Sequence, residues 1–292
     1  MSVRSIFAAV GLLAGSLGAQ VVPTLDRSAL EGILQRDAAT AAGGVLRFSM
    51  PRNDLDVRVG GVSLRPNFAL GSWAAFLPTP HGTMVMGDLV VLESELPNVL
   101  RALQEHGIEQ SAIHHHLVGE QPSVLYVHLH AHGAAASIAQ GLRAALAHTA
   151  TPGRGVPSVA QPLRASIDSA ALAMAMGRGA PVNAGVMQFA VPRSERLRSG
   201  GTELPVSMGV AHVINFQPTA PGRAAITGDF VLLADEVNRV IRALQAHGIT
   251  PTSLHNHLLD DEPRLFFLHF WAEGDVSGLA TGIVAALSET RR

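Results

Sequence analysis

Residues Gly87–Leu146 recur as Gly228–Leu287 without a gap, at roughly 40 % identity. That repeat constrains this chain more than any other feature. Whatever one copy folds into, the other must fold into as well, and a duplicated unit most simply buries surface against its twin. The repeat reaches further back with more divergence. Asp26–Leu34 matches Asp168–Met176, each read as an Asp N-cap opening a short apolar-striped helix. Val45–Arg52 matches Val186–Arg193, each an alternating strand closed by Pro-Arg. Gly60-Gly61 and Gly200-Gly201 mark a shared turn.

Within each copy the expected order is strand, helix, strand, strand, helix. Met84–Leu92 alternates as a strand with Gly87-Asp88 inside it, and that pair also suits a turn or bulge. Ser94–His106 carries Leu96, Val99, Leu100 and Leu103 at helical spacing, with Pro97 in the first turn and Gly107 as C-cap. Ala112–Val118 and Ser123–Ala131 read as antiparallel strands, followed by a helix from Ala134 to Ala147. The fold class expected is α+β: two tandem homologous units, each a mostly antiparallel sheet with helices on one face, related by a pseudo-twofold. A ferredoxin-like topology is the working guess. The divisions expected are a signal peptide at 1–19, a first repeat at 24–148, a Pro/Gly-rich linker at 149–161 and a second repeat at 162–292.

The repeated histidines carry the chemistry. His114, His116 and His128 have counterparts at His255, His257 and His269. On a strand, residues two apart share a face, so His114 and His116 point together while His115 points away; its counterpart is Asn256. If Gly119 pairs with Ser123, His114 faces His128; a shift by two pairs His116 with His128 instead, and either register keeps all three on one face. Three imidazoles so placed can hold one divalent transition metal, zinc foremost, and leave a position open. Each copy is therefore expected to carry its own metal cluster. Asp88, Asp229, Glu95 and Glu236 are the repeated carboxylates, candidates for a further ligand, an orienting partner or a general base. A metal-free structural cluster is the competing reading. The remaining histidines read differently: His106 and His247 as helix ends, His130 as dispensable, and His81, His132, His148 and His212 as surface residues. Trp73 reads as core.

Composition removes several chemistries. The chain has no Cys and no Lys, so thiolate ligands, cysteine nucleophiles, Schiff bases and the P-loop lysine are absent. A formal net charge of −2 without a basic run gives no sign of nucleic-acid binding. No Gly-x-Ser-x-Gly elbow occurs, and no dinucleotide fingerprint follows a strand. Arg4, the apolar Ile6–Leu17 and the small Gly18-Ala19 have the pattern of a cleaved export signal, shorter than a membrane span. The expected location is the periplasm or outside the cell, with no membrane span after cleavage.

These residues resemble the LppY/LpqO family, a bacterial domain of unknown function named for lipoproteins. The resemblance lies in Pro51–Leu55, Leu70–Phe76, Val85–Val90 and Ile113–Leu117, and again in Met208–Phe216, Thr227–Val231, Leu254–Leu259 and Leu268–Trp271. It spans nearly the whole mature chain. It implies export and a duplicated domain, and no established activity. Two departures matter: the lipobox cysteine is missing, and His115 stands where the family's His-Asn-His motif has Asn. Two functions stay open: a metal-dependent enzyme of unknown substrate, or a non-enzymatic cell-envelope module that binds a small molecule or envelope component.

Overall fold

The computed structural model describes residues 22–291; the proposed signal peptide lies outside them. Each repeat forms a six-stranded antiparallel sheet. In the first unit the spatial order is Ala38–Thr40, Leu46–Pro51, Gly71–Thr79, Gly82–Leu92, Val124–Gly133 and Glu109–His114. In the second it is Val182–Asn183, Val186–Val191, His212–Ala220, Arg223–Leu232, Phe266–Asp275 and Thr250–His255. Three helices cover one face of each sheet: Arg27–Leu34, Leu96–Glu105 and Ala135–Leu146, then Ser169–Ala175, Ala234–Ala246 and Val276–Ser288. The N-caps expected at Asp26 and Asp168 form, accepting from Ala29 N at 3.0 Å and Ala171 N at 3.0 Å.

Strand alternation explains the layering. In Gly82–Leu92, Val85, Leu89 and Val91 pack under the helices, while Met84, Met86, Asp88 and Val90 face the other way. Edge-to-face pairs repeat in the two helix-side cores, Phe48 with Phe76 at 5.5 Å and Phe189 with Phe216 at 5.9 Å, each contributing about 1 kcal/mol beyond burial. The helix-free faces have no solvent role. They pack on each other, joining Ala75, Leu77 and Met84 to Met208, Val231 and Phe267 in one apolar cluster. The result is a four-layer stack of helices, sheet, sheet and helices.

The ferredoxin-like guess needs correction. The run from Gly82–Leu92 through two helices has the expected neighbours, but the flank beyond Gly82–Leu92 is filled by Gly71–Thr79. That strand precedes it as a hairpin partner, where a ferredoxin-like unit would use a strand following the last helix. The first unit's His-bearing strand is also shorter than expected. It ends at His114, and His116 lies in the bend beyond it.

Glycines explain part of the repeat. Gly87 and Gly228 sit inside long strands, and neither begins a turn or a bulge. A Cβ on Gly87 would lie 2.5 Å from Trp73 O, and one on Gly228 would lie 1.9 Å from Val213 O. Only glycine lets the neighbouring strand approach there. Gly141 and Gly282 similarly admit His106 and His247, whose Cβ atoms would be 2.6 Å and 2.7 Å from an added methyl. Those two histidines are exposed helix ends, with Nδ1 at 2.8 Å from Ala102 O and 2.9 Å from Ala243 O, so their repetition is a matter of packing.

Candidate metal centre between the units

The face that carries the histidines is the face on which the two units meet. Val127 and Leu129 point to the helices, so His128 between them points into the interface, as His269 does between Leu268 and Phe270. The observed register pairs His114 with Tyr126 and Ala112 with His128, two residues from the simplest expectation. The even offset keeps His114 and His128 on one face.

The convergence differs from the expectation of one histidine triple per unit. Within the first unit the rings of His116 and His128 are 6.4 Å apart, and those of His114 and His128 are 4.9 Å apart. Across the interface the distances shorten. His114 stacks on His255 at 3.7 Å, His116 on His269 at 3.7 Å and His128 on His257 at 3.9 Å. The first of these joins equivalent residues, so the pseudo-twofold runs between His114 and His255. The other two contacts are each other's counterparts.

Groups of donors able to share one ion reflect this mixing. Among the described residues they are His114-His116-His269, His114-His128-His255, Asp88-His116-His128 and Asp229-His255-His257, with donor atoms in each within 4.8 Å of one another. Two of these groups draw on both units and two on one. The triple His114-His116-His128 is not among them, and neither is its counterpart. Asp88 instead joins the first unit's pair; its Oδ2 is 3.7 Å from His116 Nε2, and Asp229 Oδ2 is 3.2 Å from His257 Nε2.

The ring environments fit a metal. His269 Nδ1 lies 2.8 Å from Gly228 O, which fixes the proton there and leaves the Nε2 lone pair facing the cluster. A backbone hydrogen bond to Gly87 does the same for His128. His114 Nε2 lies 3.4 Å from His269 Nε2. That is close to the separation of about 3.3 Å between ligands on a tetrahedral ion with bonds of about 2.05 Å. Nδ1 of His114, Nε2 of His128, both ring nitrogens of His255 and Oδ1 of Asp88 and Asp229 are buried without a hydrogen-bond partner. Each such orphan costs about 1–3 kcal/mol unless something satisfies it.

Electrostatics point the same way. Burial, then neighbouring His269 and His257, hold His114 down to about 3, and burial also holds His116, His128, His255 and His269 below the ordinary imidazole range. Neutral imidazoles are the ligand form. Burial and then Asp229 push Asp88 up to about 8. Burial also opposes ionisation of Asp229, but His269 and His257 outweigh it and keep this carboxyl below its usual range.

Supports hold the rings in place. His116 lies flat on Tyr126 at 3.3 Å, and His257 on Phe267 at 3.5 Å. Thr252 Oγ1 donates to His116 O at 2.5 Å, and its counterpart Ser111 Oγ donates to His257 O. Each unit's edge strand thus clamps the other unit's histidine bend. The equivalents His115 and Asn256 both contact backbone carbonyls, His115 Nδ1 at 2.8 Å from Val124 O and Asn256 Nδ2 at 3.0 Å from Ser111 O, and His115 Nδ1 also lies 3.6 Å from Glu120 Oε1.

Glu95 and Glu236, the other carboxylates expected near the site, are elsewhere. Glu95 Oε2 pairs with Arg52 at 2.7 Å, and Glu236 Oε2 with Arg193 at 2.8 Å. The same oxygens accept from Leu92 N at 2.9 Å and Leu233 N at 2.7 Å, closing the turn into a helix. They explain the repeated Pro-Arg as a buried ion pair. His212 differs from expectation, while Trp73 packs against the apolar cluster between the sheets, as expected, without being sealed there. His212 is fully buried; its Nδ1 accepts from Val231 N at 3.0 Å, the role Ser72 Oγ plays toward Val90 N at 2.8 Å in the first unit. Trp73 is half-buried and lines a cleft of about 330 Å³ that reaches Asp88, His116, Asp229 and His257. Arg47 was not singled out by the sequence pattern, because its counterpart is Gln188 and the repeat does not mark it.

Comparison with known proteins agrees with the duplication. No curated protein matches the chain. Among solved structures, EtuB from Clostridium kluyveri aligns with 91 % of this chain and 91 % of its own, at 8 % identity and a TM-score of 0.20, too weak a likeness to inform the fold or the function. A family model described as Domain of Unknown Function (DUF1259) matches twice, over residues 28–148 and 170–289. The chain belongs to that family of unknown function, with one copy of its domain in each of the two packed units.

Proposed function

We propose that this chain is an exported metal-binding protein whose centre is assembled from both repeats, and that it acts as a metal-dependent enzyme on a small substrate. The observation that carries the reading is the convergence of partnerless buried donors from His114, His128, His255, Asp88 and Asp229 on one place between the sheets. Imidazole with one carboxylate suits zinc, or another late first-row ion, better than calcium or magnesium. A bound ion of this kind supplies Lewis acidity and lowers the pKa of coordinated water.

A purely structural ion would be sealed in. Here Asp88, His116, His128, Asp229, His257 and His269 also line the cleft, which supports a centre that a ligand can reach. Asp88 and Asp229 stand where a fourth ligand or a general base would. The LppY/LpqO resemblance and the leader-like pattern of residues 1–19 support export to the periplasm or beyond.

Elemental analysis of protein prepared without a His tag, from metal-replete cells, tests the reading. At least one transition-metal ion per chain is expected. A content near zero overturns it.

A further inference from the structure

The cleft is not symmetric, and its asymmetry concerns one cation. Arg47 leaves the strand Leu46–Pro51 and lays its guanidinium over the Trp73 ring, 3.8 Å from the centroid. Nη1 donates to Ser207 O of the second unit at 2.9 Å. Trp73 is itself seated against that unit: a Cβ on Gly209 would lie 2.7 Å from the indole edge. The platform is therefore built from both repeats. Among the described residues no carboxylate comes within ion-pair distance of Arg47, whereas Arg52 and Arg193 are each matched by carboxylates. Burial lowers Arg47 to about 10, countered by the field of Asp88. A half-buried, oriented cation without a counter-ion lines the same cleft as the histidines.

The second copy has neither part of this device. Gln188 and Val213 occupy the equivalent positions, and Gln188 Nε2 is committed to Asn215 Oδ1 at 2.9 Å. The metal donors have stayed matched between the repeats while their approach has diverged. One side of the cleft offers a planar fork of N–H donors on an aromatic face, and the other offers neutral amides.

Resting on the metal reading above, we infer that the cleft takes a small molecule bearing an acidic oxyanion group, a carboxylate or a phosphate, which Arg47 holds while the rest of the molecule reaches the histidine centre. A guanidinium fork matches the two oxygens of either group. The volume of about 330 Å³ lies at the small end of ligand pockets. An ion held by Asp88 would absorb that carboxylate's charge and leave Arg47 in excess.

Calorimetric titration of inorganic phosphate and of acetate, into zinc-loaded and metal-free protein, tests this. Wild type is expected to bind at least one of the two. Arg47→Gln, which installs the second copy's residue, is expected to weaken it by about 10- to 100-fold. Arg47→Lys is expected to recover part of the loss, and zinc content is expected to stay the same in both variants. Binding of phosphate alone assigns a phosphate ester, and binding of acetate alone assigns a carboxylic acid. Binding that survives Arg47→Gln unchanged, or no binding of either anion by wild type, overturns the inference while the zinc content still reports on the metal centre. Absence of zinc from every sample would sink the metal reading instead, and the metal-free titration would then report on Arg47 alone.

Discussion

His114 and His255, equivalent residues of the two repeats, lie face to face with ring centroids 3.7 Å apart and planes 25° from parallel. Between them they enter three of the four donor groups, and His114 enters both groups that mix the units. Loss of one should therefore disturb the whole centre. His114→Ala is expected to lower zinc affinity by at least about 10-fold and to remove more than half of the bound metal. Competition with a chromogenic chelator measures both. A variant that loses half its metal and binds the remainder with wild-type affinity would indicate independent sites.

The buried imidazoles set an acid limit on the metal-free protein. The unfolded chain takes up protons as pH falls through about 6.5, while native His114 resists down to about 3 and His116, His128, His255 and His269 are displaced the same way. In that window the unfolded state binds more protons, so stability falls with pH by about 1.4 kcal/mol per unit for each such histidine. Urea midpoints of metal-free protein should drop steeply below pH about 6.5, where the five histidines outweigh the opposite contribution of Asp88 and Glu120, whose carboxyls burial pushes up to about 8. A flat profile down to pH about 4.5 would show that the rings are not buried as neutral groups.

Glu236 is a test of what the site does not include. Its side chain and that of Arg193 are both fully buried. Glu236→Gln leaves a buried cation partly unmatched and is expected to cost about 3–5 kcal/mol, read from thermal or urea unfolding. Metal content per folded chain should be unchanged. A stable variant that loses its metal would place this carboxylate at the centre after all.

Gly228→Ala should be worse tolerated than Gly87→Ala, because the added methyl meets Val213 O at 1.9 Å against 2.5 Å for Trp73 O. Backbone on a neighbouring strand cannot swing aside as a side chain can. A loss of about 3 kcal/mol or more is expected at Gly228, with disturbance of Asp229 beside it. Equal melting temperatures for the two variants would contradict this packing.

Much of this was legible in the repeat. The Asp26 and Asp168 caps and the amphipathic helix at Leu96–Glu105 follow from local pattern and form as read, and the antiparallel pairing of Glu109–His114 with Val124–Gly133 forms too, in a register two residues from the expected one. Parity also put His114 and His128 on one face correctly. What a single unit cannot reveal is its partner across an interface. Contacts such as His116 with His269 join residues 153 positions apart, by subtraction of their numbers, and no spacing rule spans that distance. Periodicity likewise could not separate Glu95 from Asp88, since both recur; only the strand pairing of Asp88 with His128 and the ion pair of Glu95 with Arg52 do so. Arg47 was invisible because repetition was the filter and it is not repeated, and for the same reason Trp73 reads as core and not as part of the site.

The most direct test of a centre shared between the repeats is an anomalous-scattering map of zinc-loaded crystals. The account predicts a peak between the two sheets, ligated by histidines of both units, with His114 or His255 among them and Asp88 or Asp229 beside it. Two peaks each held only by residues of its own unit, or none at this interface, would contradict it.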